Sequence, residues 1–205
     1  MKRITTAAAF AANAFFPAFF PTAASAEVEN YAIDPFHTVP YFEVDHLQTA
    51  TMRGRFDRAT GKFTIDRAAR SGSVELEIPT ATVNTGDTDR SGRPRTRDEH
   101  LKNADFFNVQ EFPTMTFKST KVVFKGDDPA AIEGNLTLLG VTKPVTLNIE
   151  RWKCGPDIRT QGKRYQCGGN ATGSFKRSEF GMKYGLPAAL GDEVKLWMSF
   201  YGFKQ

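Results

Sequence analysis

The sequence predicts an all-β protein, an antiparallel barrel or sandwich of about eight or nine strands, with one short helix. Three observations carry this. Segment after segment alternates apolar and polar residues, the period of strands with one face in a core. These segments are short, evenly spaced and joined by Gly, Pro, Asn and Asp turns. Helical stretches do not alternate with them, which disfavours a parallel α/β sheet.

Taken in order, Phe42, Val44 and His46 share a face of the first strand read this way. Met52, Gly54 and Phe56 share a face of the next, with Arg53, Arg55 and Asp57 opposite. Phe63 and Ile65 follow, then Val74, Leu76 and Ile78. Beyond a break come Met115, Phe117 and Ser119, then Ile132, Gly134, Leu136 and Leu138. A turn from Gly140 to Pro144 leads to Val145, Leu147 and Ile149. The last two strands carry Ala171, Gly173 and Phe175, then Val194, Leu196, Met198 and Phe200. Thr96 and Glu99 form a capping-box pattern, which places a helix over Arg97 to Ala104. The Gly, Asp, Arg and Pro-rich loop before it, Thr85 to Arg95, is long enough to move.

The N-terminus reads as a cleavable secretory signal. Lys2 and Arg3 precede an apolar run from Ala7 to Phe20, too short for the roughly 20 residues of a membrane span and interrupted by Asn13 and Pro17. Ala24-Ser25-Ala26 supplies small residues for a signal peptidase, so cleavage is expected between Ala26 and Glu27. Residues 27–205 then form one domain, delivered to the periplasm or secreted, with no stable membrane insertion. Without Lys2 and Arg3 the formal charge falls from +4 to +2. So small an excess gives nucleic-acid binding no support.

Cys154 and Cys167 are the only cysteines. In an exported chain, an even pair across a short loop of turn formers reads as a disulfide stapling a hairpin. With no histidine nearby they make a poor zinc site, and no metal is expected.

Candidate chemistry is sparse. His37, His46 and His100 are the only histidines. His37 follows Asp34-Pro35 in a turn, and His100 sits among helix charges of the kind usually solvated. His46, on the face of Phe42 and Val44, is either a hydrogen-bonded core histidine or a polar handle in an apolar pocket. No Gly-x-Ser-x-Gly elbow, dinucleotide fingerprint or phosphate loop is present. No catalytic residue and no cofactor is therefore assigned. An alternative is an enzyme acting on a lipid, pairing His46 with Asp45 or Asp98, although alternation puts Asp45 on the opposite face. Of 18 phenylalanines, 13 lie beyond the signal. They either fill a core, leaving a structural or partner-binding barrel, or line a cavity, since about eight strands can enclose one slender ligand.

Several segments together resemble the YceI-like family. They are Tyr31-Ala-Ile-Asp-Pro-Phe-His37, Phe42-Glu-Val-Asp-His46, Arg53-Gly-Arg-Phe56, Arg97-Asp-Glu-His-Leu101, Asp105-Phe-Phe107 and Phe112-Pro-Thr-Met-Thr-Phe-Lys-Ser119. Gly134-Asn-Leu-Thr-Leu-Leu-Gly-Val-Thr-Lys-Pro-Val145 and Arg177-Ser-Glu-Phe-Gly181 complete the set, in the family's order and spacing. The resemblance implies a lipocalin-like antiparallel barrel of about eight strands with a helix packed across it. It further implies a periplasmic, non-catalytic carrier or store whose interior holds a polyisoprenoid, an isoprenoid quinone or a fatty-acid derivative. Family members are often dimeric, so a homodimer is open to this chain. Phe42, His46, Phe56, Phe117 and Leu136 would line the tunnel, with Arg97, Leu101 and Phe106 on the helix segment that shapes its mouth. Two departures stand out. Thr38 occupies a position that is usually serine, ahead of Pro40, which must sit at an edge or strand start. The Cys154 to Cys167 hairpin is absent from many relatives.

Overall fold

The computed structural model describes residues 28–205, so the signal and the cleavage site at Ala26 and Glu27 lie outside the described residues. Eleven strands occur in chain order: β1 (Glu29–Ile33), β2 (Val39–His46), β3 (Ala50–Phe56), β4 (Thr60–Asp66), β5 (Ser71–Pro79) and β6 (Val83–Asn84), then β7 (Thr114–Lys125), β8 (Asp128–Leu138), β9 (Val141–Pro156), β10 (Tyr165–Lys176) and β11 (Leu190–Lys204). Among the described residues there is a single α-helix, α1 (Arg97–Leu101), between β6 and β7.

All pairings are antiparallel, and the ring runs β1-β4-β5-β7-β8-β9-β10-β11, closed by β11 on β1. The three extra strands are continuations. β2 pairs with β3 as β1 pairs with β4, and β6 pairs with β3 as β5 pairs with β4. The fold is thus an eight-stranded up-and-down barrel whose first three strands are each interrupted once. Closure leaves the ring no free edge.

The interruptions fall at one level on neighbouring strands, and polar groups replace the missing ladder bonds. The buried Thr38 hydroxyl accepts from Tyr201 N at 3.1 Å and donates to Tyr201 O at 3.3 Å. This explains why a hydroxyl belongs at that position: it carries the pairing with β11 across the break. Pro40 does sit at the start of β2, as its missing N–H requires. Next door, Asp57 N donates to Thr82 O at 3.0 Å. Thr80 then ties the third break to the loop before β7 through Phe112 O and Pro113 O.

Below the breaks the interior is solid. Tyr31 stacks on Phe63 with ring centres 4.6 Å apart, and Trp152 lies 6.0 Å from Phe63 and 5.9 Å from Phe200. Above, large side chains face inward but do not fill the space. Core filling and cavity, which composition left as alternatives, each hold for one half of the barrel. Glycines make room for the upper rings: a Cβ on Gly54 would stand 2.3 Å from Phe42 Cζ, and one on Gly134 2.5 Å from Phe117 Cζ.

At the solid end Cys154 and Cys167 oppose each other directly on β9 and β10 and form the disulfide expected from their spacing. Replacing both with serine is expected to cost about 3 kcal/mol in the chain-entropy picture. Guanidinium unfolding of the double variant, with its midpoint lowered, would show this.

Candidate functional site

The upper half encloses a cavity of about 440 Å³. That lies within the range of small-molecule sites, roughly 300–1,000 Å³. Its walls follow from strand alternation: Leu76, Met115, Phe117, Leu136, Leu147 and Ala171 all point inward from successive strands. Phe42 on β2, Phe56 on β3 and Phe107 close one side as an aromatic triad, with ring centres 5.2 to 6.4 Å apart.

The mouth is built by α1 and by the segment 182–190. Thr96 caps the helix by accepting from Glu99 N at 3.1 Å, while Glu99 Oε2 accepts from Thr96 N at 2.7 Å. Asp98 docks the helix on the barrel rim by accepting from Thr85 N and Thr85 Oγ1. The loop before the helix carries its own tie, Arg93 on both oxygens of Asp87. Arg90 and the Thr96 N–H hold the Glu99 carboxyl down at about 2. Glu99 therefore contributes fully above the ordinary carboxylate range, and its contribution declines as pH falls from that range to about 2. Thr96→Ala removes the cap itself. The expected loss is about 1 kcal/mol, read as faster amide exchange in α1 and a slightly lower melting temperature.

The helix ends at Leu101, three residues before the expected Ala104. Asn103 turns the chain, its Oδ1 accepting from Asp105 N and its carbonyl from Asn108 N. Phe106 and Phe107 are both buried and both line the cavity, which adjacent positions of a helix do not allow.

Phe42, His46, Phe56, Phe117, Leu136, Arg97, Leu101 and Phe106, the eight residues expected at the site, are brought together around this one cavity. His46 reaches it with no hydrogen-bond partner for its ring among the described residues. His100 needs correction. Far from a solvated helix face, it lines the cavity, packs edge-on against Phe106 and Tyr184 with ring centres 4.9 Å away, and lies 2.8 Å from Asp105. Its place one turn after Arg97 was the available signal. His37 stays in its turn, 2.7 Å from Asp34.

Sequence patterning also missed Met182, Tyr184, Leu190 and Arg177. The first three lie on or beside an irregular segment without periodicity. Arg177, 2% exposed, donates to Gly191 O at 2.7 Å and to Met182 O and Leu190 O at 3.1 Å. Burial lowers its guanidinium below the usual value, with Asp192 opposing the shift. The pair suggested for catalysis is not assembled. Asp45 is exposed and accepts from Gln48 N, Asp98 is engaged by Thr85, and neither lines the cavity.

The site is a closed antiparallel barrel with one solid end and, at the other, a mouth shaped by a helix over an apolar chamber of small-molecule size. The chain belongs to the YceI-like family, whose YceI-like domain matches residues 31–201. It is similar to a UPF0312 protein of Pseudomonas aeruginosa, with 36% identity over 208 residues covering 100% of both chains. It is similar also to Protein YceI of Salmonella newport, with 38% identity over 90% of this chain and 92% of the relative. Among solved structures, a polyisoprenoid binding domain from Saccharophagus degradans has the same fold, with a TM-score of 0.60 at 16% identity over 85% of this chain and 98% of the other.

Proposed function

We propose that this protein is an exported, non-catalytic carrier or store for a long amphiphilic lipid: a polyisoprenoid, an isoprenoid quinone or a fatty-acid derivative. The observation that carries the reading is the chamber, lined mostly by apolar side chains. Each methylene withdrawn from water into it contributes about 0.8 kcal/mol, so affinity rises with chain length and depends little on the rest of the molecule. The Saccharophagus degradans neighbour, a polyisoprenoid binding domain, supports the ligand class. Export supports the role, because a soluble carrier is needed where apolar chains must cross water, and Lys2, Arg3 and Ala24-Ser25-Ala26 support export.

The test is direct. The protein purified from its native compartment is extracted with organic solvent, and the extract is analysed by mass spectrometry. A stoichiometric long-chain lipid is expected. A protein that carries none, and takes up none when offered isoprenoids and fatty acids, is not a lipid carrier.

A further inference from the structure

The two most exposed large apolar side chains among the described residues are Ile158 and Phe36, at 90% and 86%; the next, Leu47, stands at 57%. Neither sits on a slack loop. Asp34 closes the turn that carries Phe36: its Oδ1 accepts from Phe36 N at 3.0 Å, its Oδ2 lies 2.7 Å from His37 Nδ1, and its carbonyl accepts from Thr38 N at 3.0 Å. The buried Asp157 does the same for Ile158, its Oδ1 accepting from Arg159 N at 3.0 Å and its carbonyl from Thr160 N at 3.1 Å. An apolar residue alone on a surface is ordinary; two held outwards by closed turns and placed together call for a partner.

They are together because both turns rest on one side of β11. Asp34 N donates to Tyr201 O and His37 packs edge-on against the Tyr201 ring, while Arg159 and Arg164 lie over the Phe203 ring. Tyr201 and Phe203 stand two apart on the strand and so share its outer face. Across the gap between the turns, His37 Nε2 and Arg159 Nη1 meet at 3.5 Å.

Charge is sorted around the pair. Asp34 and Asp157 are buried, whereas Arg159, Lys163 and Arg164 are exposed. Arg159 answers Asp157, but Lys163 has no side-chain partner among the described residues and Arg164 lies on an aromatic face. Apolar tips beside unmatched cations suit a bilayer interface, where the tips enter the acyl boundary and the cations meet anionic headgroups. We propose that the 34–38 turn and the 157–164 loop form a docking surface for an anionic phospholipid membrane, with Phe36 and Ile158 inserted and Lys163 and Arg164 on the headgroups. None of these residues lines the chamber, so docking is separate from whatever the chamber holds and does not rest on the carrier reading.

The test is flotation of the protein, purified from its native compartment, with vesicles of phosphatidylcholine and with vesicles of phosphatidylcholine mixed with phosphatidylglycerol. Binding to the anionic vesicles is expected, and it should weaken as salt screens the attraction. Phe36→Ser and Ile158→Ser are each expected to reduce it roughly tenfold, the value of one large apolar side chain withdrawn from water. Lys163→Gln should reduce it roughly fivefold, on the anionic vesicles alone. All three side chains are exposed, so the melting temperature should stay at that of the parent. Leu47→Ser is the control: Leu47 is exposed at the mouth end, where its N–H donates to Ala189 O, and its loss should leave binding unchanged. Failure to bind anionic vesicles overturns the proposal. Binding that Leu47→Ser abolishes and Phe36→Ser leaves intact also overturns it, by putting the mouth on the membrane. A dimer that Phe36→Ser dissociates, with vesicles left unbound, overturns it too and gives the patch to a second copy of the chain.

Discussion

Replacing Arg177 with methionine is expected to be the most destabilising single change in the upper barrel. The guanidinium closes the segment 182–191 by bonding three carbonyls at once, and methionine removes this donor from one buried and two half-buried carbonyls. Each orphaned acceptor costs about 1–3 kcal/mol. The opposing effect is relief of the penalty for burying a cation, visible in the lowered affinity of Arg177 for its proton. Three carbonyls outweigh one relieved charge, for a net loss of about 3 kcal/mol. In a domain of this size that corresponds to a melting temperature lower by roughly 6–12 °C. Arg177→Lys should recover little, because one ammonium cannot present the planar fork that reaches three acceptors. A melting temperature within about 2 °C of the parent in both variants would show that the segment holds itself.

The second large effect is on binding. Ala171 is 1% exposed and faces the chamber from β10. Phenylalanine there projects into empty space and does not invade packed core, so the fold should tolerate it. The ring takes volume that a lipid chain would use. Excluding three methylenes costs about 2.4 kcal/mol, roughly a 50-fold loss of affinity for long chains. Short chains that never reach the floor should bind as before. Titration with a series of fatty acids of increasing length separates these cases: the parent gains affinity with each added pair of carbons, and the variant stops gaining early. Parallel curves would place the ligand elsewhere.

Much of this was legible because alternation is a local property. A strand that buries Phe117 and Met115 must turn Thr116 and Lys118 away, and that rule gave the inward faces; the placing of Phe42, His46, Phe56, Phe117 and Leu136 along a tunnel came from the family resemblance. β1 was less visible, since five residues give Tyr31 and Ile33 little room to establish a period. β6, with only two residues, has no period at all. The division of β11 between β1 and β2 is a matter of register, fixed by three-dimensional closure and by Thr38. The same limit applies at the mouth. Tyr184 and Leu190 reach the chamber because Arg177 folds their segment, a contact that no periodicity announces. His100 was misjudged because its partners are set by other means than helix geometry, Phe106 by a turn at Asn103 and Tyr184 by the segment that Arg177 holds.

The shared level of the three strand interruptions divides the molecule's resistance to opening. Below it, continuous ladders, stacked rings and a covalent cross-link make any exposure of backbone a global event. Above it, short ladder segments, a five-residue helix and the 182–190 segment enclose the chamber. Such elements open at lower free energy than the body they are attached to. On the proposed carrier reading, a ligand would enter and leave through partial opening of one end while the rest of the protein keeps its fold.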